Sequence, residues 1–173
     1  MPRIAVSTRD FLRTGEFGPI RPGLSRDALR GLLGDPEGWS LGPGKRKSAS
    51  RAAIWQYGDV EFHFNGDTLW LIFADHITTL KGGKAIDLDP WVLNGNATVK
   101  QVLGDLEEAH IPFQRIDWKF DDTTERFRVG AGVDLLFWDE NQYGPNDDDL
   151  PTLARPDMTF CGFSYSSIAT KTE

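Results

Sequence analysis

The stretch GPIRPGLSRDALRGLLGDP, residues 18–36, sets the reading of this chain. Ser25 offers a side-chain oxygen to the free amides of a helix start, and Leu29, Leu32 and Leu33 recur at the spacing of one helical face. Gly34 tolerates a left-handed backbone and Pro36 cannot continue a helix, so the pattern predicts a helix of about two to three turns.

Downstream, residues 40–51 carry no apolar period and read as an exposed basic loop. Lys45, Arg46, Lys47 and Arg51 there are either solvated charges or an anion site. The period then becomes alternating in IWQYGDVEFHFNGDTLWLIF, residues 54–73. Hairpin signals at Tyr57-Gly58-Asp59-Val60 and Phe64-Asn65-Gly66-Asp67 predict three antiparallel strands in a meander. Alternation puts Val60, Phe62, Phe64, Leu69, Leu71 and Phe73 on one face, joined by Trp55 and Tyr57. The opposite face then holds Gln56, Glu61, His63, Trp70 and Ile72. An aromatic and an aliphatic residue among polar ones suit either a partner interface or a face covered by the chain itself.

After the loop through Lys81-Gly82-Gly83-Lys84 and Asp89-Pro90-Trp91 the pattern restarts. A shift of 73 residues carries Ser25 to Thr98, Leu29 to Val102, Leu33 to Leu106, Ile54 to Phe127, Val60 to Val133, Phe62 to Leu135 and Phe64 to Phe137, with no gap. Thr98 with Gln101 makes a capping box, Val99, Val102, Leu103 and Leu106 make the apolar stripe, and Ile111-Pro112 ends the helix. Residues 113–120, 126–138 and 158–164 read as strands. The expectation is therefore an α+β fold of two tandem, diverged repeats, residues 1–86 and 87–173, each a short helix packed on an antiparallel meander. The second copy departs where Asn65-Gly66 turns tightly, running instead through residues 138–151 with Trp138, Asp139, Glu140, Tyr143, Asp147, Asp148 and Asp149. Acids beside aromatics suit capture of a basic partner, a solvated loop tip, or weak attraction of a divalent cation without calcium-loop spacing.

Phe17-Gly18-Pro19-Ile20-Arg21-Pro22-Gly23-Leu24-Ser25-Arg26, continuing to Leu29, Leu32, Leu33, Gly34 and Pro36, resembles the opening of the repeat in the beta-lactamase-inhibitor-protein family. It is similar as well to the small outer-membrane-assembly lipoproteins of that fold. In the second copy Gly95-Asn96-Ala97-Thr98 stands where the first has Pro22-Gly23-Leu24-Ser25. The resemblance implies tandem helix-plus-sheet units whose sheets form one concave surface that grips a partner protein. The disulfides of those inhibitors and the lipidated cysteine of those lipoproteins have no counterpart here.

Composition narrows the function classes. The 173 residues are 39% hydrophobic and 12% aromatic, which fits a folded chain. Residues 1–86 hold 12 Lys/Arg against 9 Asp/Glu, and residues 87–173 hold 7 against 17. That acidic second half disfavours nucleic acid and favours a basic protein partner. No apolar run is long enough to span a membrane, residues 1–10 lack a secretory pattern, and Cys161 has no disulfide partner. A cytoplasmic protein is expected.

Catalytic signatures are sparse. His63, His76 and His110 lie in different elements without a second ligand at metal spacing, and Cys161 in a Phe-rich strand reads as a small buried hydrophobe. Asp121-Asp122 and Glu107-Glu108 sit in polar settings, and Lys81-Gly82-Gly83-Lys84 lacks phosphate-loop spacing. No metal or cofactor is expected. The reading is a non-catalytic protein-binding protein of the inhibitor or immunity type. Its contact residues would be Gln56, Glu61, His63, Trp70 and Ile72 from the first copy and Asp134, Leu136 and Trp138 from the second, with loop residues Asp139, Glu140, Tyr143, Asp147, Asp148 and Asp149. The rivals are a module holding a small ligand in a cleft between the two sheets, an enzyme without a sequence signature, and a self-associating subunit.

Overall fold

The two helices anticipated from leucine and valine spacing form where their caps place them. The computed structural model describes residues 2–40, 52–75, 77–117, 123–139, 141 and 154–166. Helix α2, Arg26–Leu33, starts with the Ser25 hydroxyl accepting from the Ala28 amide and stops at Gly34, whose φ of 78° only glycine adopts without strain. Helix α3, Val99–Glu108, carries the full capping box between Thr98 and Gln101. A further helix, α1, Thr8–Thr14, lies outside the sequence expectation. It is short, capped by Ser7, and buries Thr8, Phe11 and Leu12.

Each of α2 and α3 is followed by four strands. After α2 come β2 (Gly38–Ser40), β3 (Ile54–Tyr57), β4 (Val60–Asn65) and β5 (Thr68–Ala74). After α3 come β7 (Phe113–Ile116), β8 (Thr124–Val129), β9 (Val133–Trp138) and β10 (Thr159–Ser166). They make one antiparallel sheet in the order β2-β3-β4-β5-β10-β9-β8-β7. A separate parallel pair joins β1 (Ile4–Ser7) to β6 (Ile86–Asp89).

The two meanders meet along β5 and β10, with Ala74 opposite Phe163 and Leu71 opposite Ser166. The expected cleft between two sheets is therefore absent at that junction, because backbone hydrogen bonds fill it. On either side of the junction the same local devices recur. Ser25 bridges to Thr68 and Thr98 bridges to Thr159, so each capping residue is tied to the last strand of its own meander. Arg26 and Val99, the first residues of α2 and α3, donate their amides to the carbonyls of Asp67 and Met158. The β4–β5 ladder slips at Trp70 and the β9–β10 ladder slips at Cys161.

Strand pairing corrects one detail of the 73-residue match. Trp55 lies opposite Phe62 and Phe127 lies opposite Leu135, so the position that corresponds to Phe127 is Trp55 rather than Ile54. The cause is one extra residue in the turn between β8 and β9, where Val129 pairs with Val133 but Tyr57 pairs with Val60.

One face of the sheet is the core face. Trp55, Tyr57, Val60, Phe62, Phe64, Leu69, Ile72, Leu135, Phe137, Phe160 and Phe163 bury there with Leu29 and Leu33 of α2 and Val102 and Leu106 of α3. Helix α1 packs on the same side: Phe11 meets Phe17, Phe163 and Tyr165 edge to face with centroids 5.1 to 5.5 Å apart. The Tyr57 hydroxyl donates to the Gly34 carbonyl at 2.8 Å, which fastens the end of α2 to β3.

Candidate functional site: the open face of the sheet

The face turned away from the helices runs across both meanders without a break. Cross-strand pairing links Gln56 to Glu61, Glu61 to Phe73, Phe73 to Ser164, Ser164 to Asp134, Asp134 to Arg128 and Arg128 to Gln114. Seven strands thus contribute one residue each to a single row. A second row places Ile54, His63, Leu71 and Ser166 side by side.

The residues expected on this face divide three ways. Gln56 is exposed, and Glu61, His63, Trp70, Leu136 and Trp138 are half-buried. The His63 Nε2 lies 2.8 Å from the Glu61 carboxylate, and its ring stands edge-on to Trp70 and Phe73 at 6.4 and 5.7 Å.

Ile72, by contrast, is fully buried on the core face opposite Phe62. The reason is the bulge at Trp70: Phe64 pairs with Leu69 but His63 pairs with Leu71, so every residue after Trp70 changes sides. Leu71 and Phe73, expected in the core, stand on the open face half-buried. The segment Thr68–Ala74 is apolar at nearly every position, so alternation had no contrast from which to reveal the slip.

Asp134 is also corrected. It is only 5% exposed and accepts from Arg128 Nε at 2.9 Å and Arg128 Nη2 at 3.1 Å, while Arg126 Nη2 closes on its Oδ2. Its charge is consumed within the sheet instead of being offered to a basic partner. The bond to Asp134 in turn holds the Arg128 guanidinium above its ordinary pKa. Asp139 is fully buried and accepts from the Asn141 amide at 3.0 Å, so it too is withdrawn from contact. Glu140, Tyr143, Asp147, Asp148 and Asp149 lie outside the described residues, as do His76, Asp121, Asp122 and the basic residues Lys45, Arg46, Lys47 and Arg51.

Cys161 occupies the bulge in β10 and is buried. Burial first, and the Asp75 carboxylate second, push its thiol up to about 12, which removes the thiolate that nucleophilic chemistry needs. The Lys81–Lys84 loop is held by carboxylates: Asp59 accepts the Lys81 amide at 2.7 Å and Glu37 accepts the Lys84 amide at 2.6 Å. Acids in those places oppose an anion. Among the described residues, no three His, Cys, Asp or Glu side chains gather as a metal would require, and no helix is long and apolar enough to cross a membrane.

No family model, curated protein or solved structure matches this chain.

The open face carries two carboxylates, Glu61 and Asp134, and two guanidinium groups, Arg126 and Arg128. What the face displays besides these is aromatic and aliphatic area, from Trp70, Leu71 and Phe73 on one meander and Leu136 and Trp138 on the other, set among paired polar groups. That mixture can hold a flat protein surface by burying rings while hydrogen bonds fix register. Sequence reasoning missed Leu71, Phe73, Arg126 and Arg128. Arg126 and Arg128 alternate with Glu125 and Phe127, a pattern that could have placed them on the face beside Asp134.

Proposed function

We propose that this chain is a non-catalytic protein-binding protein of the inhibitor or immunity type, which covers the working surface of another protein with the open face of its sheet. Two diverged copies of one unit, residues 1–86 and 87–173, supply that face. The matched caps at Ser25 and Thr98, their matched bridges to Thr68 and Thr159, and the matched bulges at Trp70 and Cys161 support the duplication.

The observation that carries the reading is the unbroken row from Gln56 to Gln114, which includes half-buried Phe73 and is flanked by half-buried Trp70, Leu71, Leu136 and Trp138. Contact would come from Gln56, Glu61, His63, Trp70, Leu136 and Trp138, with Leu71 and Phe73 in the place first given to Ile72. Aromatic anchors near the centre of such a patch dominate affinity, and the surrounding polar groups exclude water. The net negative charge of the second half favours a basic partner through long-range attraction.

The test is capture from the native cell extract, identification of the retained protein, and reconstitution with purified components. Trp70→Ala together with Trp138→Ala should abolish the reconstituted complex while the variant still folds and unfolds in one cooperative transition, at a midpoint lowered by the loss of two half-buried rings. Retention of full affinity by a folded double variant would remove the open face from the account.

A further inference from the structure

The first residue and the fifth residue of the two long helices differ in a way that opens a second site, on the helix side of the sheet. In α2 these are Arg26 and Arg30, and both lie over core-face rings: Arg26 is 4.0 Å from the Phe64 centroid and 5.4 Å from Trp55, and Arg30 is 5.1 Å from Trp55. In α3 the same places hold Val99 and Leu103. The shorter side chains leave a cleft of about 570 Å³ beside Phe127, lined also by Lys100, Gly104, Glu107, Arg115, Glu125, Arg155 and Pro156. A space that the first half fills with its own guanidinium groups stands open in the second.

The floor and the rim of this cleft differ in character. Val99, Leu103, Phe127 and Pro156 make it apolar. At one end Glu125, only 4% exposed, receives two arginines: Arg115 through Nε at 2.6 Å and Nη2 at 3.0 Å, and Arg155 through Nη1 at 2.9 Å. One buried carboxylate shared by two half-exposed guanidinium groups leaves a surplus positive charge at the edge of an apolar wall. The Arg155 side chain is 52% exposed, and among the described residues its guanidinium meets only Glu125. Lys100 adds positive charge to the rim and Glu107 subtracts it, so the lining carries net +1.

We infer that this cleft binds a small amphiphilic monocarboxylate, an aliphatic or aromatic chain whose apolar body lies over Phe127 and Leu103 and whose carboxylate meets Arg155. A volume of this size suits a small molecule with an apolar body. The surplus charge selects an anion over a cation, and the planar donor fork of arginine suits a carboxylate. The site is separate from the open face, so it stands or falls independently of the function proposed above.

Octanoate is the probe, titrated into the whole chain and followed by calorimetry and by methyl resonances of Val99 and Leu103. Binding of one octanoate per chain is expected, with octylamine and octanol bound at least tenfold more weakly. Leu103→Arg, which supplies the side chain that α2 carries at this place, should abolish binding. Gly104→Phe should do the same without unfolding the helix, because a Cβ at Gly104 meets no atom within 4 Å. Arg155→Gln should weaken octanoate about tenfold and leave octanol unchanged. Equal binding of octanoate and octylamine, undiminished binding in folded Gly104→Phe, or no saturable binding up to the solubility limit would each overturn the assignment.

Discussion

The guanidinium of Arg26 lies 4.0 Å from the centroid of the Phe64 ring and donates twice to the Gly66 carbonyl, at 3.1 and 3.0 Å. One side chain thereby locks the start of α2 to the turn that reverses β4 into β5. Its side chain is only 10% exposed, and burial pulls its pKa below the ordinary value although Asp67 pushes back. The charge is held mainly by the aromatic face and the carbonyl.

Replacing Arg26 with Ala should therefore cost about 2–3 kcal/mol, combining a lost ring contact, lost packing and an unpaired carbonyl. Arg26→Met restores the packing alone and should recover about 1 kcal/mol of that. Urea unfolding midpoints at constant slope measure both.

The bulge at Trp70 separates neighbouring aliphatic residues by environment. Ile72→Ala opens a cavity against Phe62 and should cost ~3 kcal/mol, whereas Leu71→Ala on the open face should cost about 1 kcal/mol. Equal costs would mean that the ladder does not slip.

Asp134 balances two arginines, so Asp134→Ala should destabilise the chain by ~3 kcal/mol, more than an exposed ion pair would. Replacing Arg126 and Arg128 with Met in the same chain should recover a large part of the loss, because no uncompensated charge then remains. A double-mutant cycle on thermal unfolding reads the coupling.

Cys161 predicts an alkaline limit. Burial raises its thiol pKa from about 9 to about 12, so above pH 9 the unfolded chain loses a proton that the native chain keeps. Its contribution is full below pH 9 and is lost as the pH climbs toward 12. Burial also pushes the Tyr57 phenol up, extending the decline. Cys161→Ala should flatten the earlier part of the curve, and the native thiol should resist disulfide reagents at pH 8 until the chain unfolds.

The two N-caps should behave alike. Ser25→Ala and Thr98→Ala each remove a side-chain acceptor and should each cost about 1 kcal/mol, the Gln101 side chain still accepting from the backbone amide of residue 98. Differential denaturation of single variants compares them.

The sequence made α2 and α3 legible because capping and leucine spacing are local signals that tertiary contacts did not override. Strands β3 and β4 were legible for the same reason, their alternation being bounded by glycine turns, whereas the stretch 126–138, expected as strand throughout, is split into β8 and β9 by a turn at residues 130–132. Helix α1 and the β1–β6 pair were not, since four-residue strands with half-buried patterns carry little period, and β1 finds its partner only about 80 residues later. The candidate face was legible at Gln56, Glu61, His63, Trp70, Leu136 and Trp138. It failed at Ile72, where an apolar run hides a bulge, and at Asp134 and Asp139, whose acidic side chains suggested exposure but are buried, Asp134 against arginines of the neighbouring strand and Asp139 with the nearby Asn141 amide as donor.

The seam between Leu71–Ala74 and Phe163–Ser166 also has a kinetic side. Strand β5 can finish its meander early, yet its outer backbone groups wait for a partner about 90 residues downstream, and until then they present a sticky template to any neighbouring chain. Slow closure of that last register should dominate refolding, and crowding at high concentration should divert molecules into intermolecular pairing.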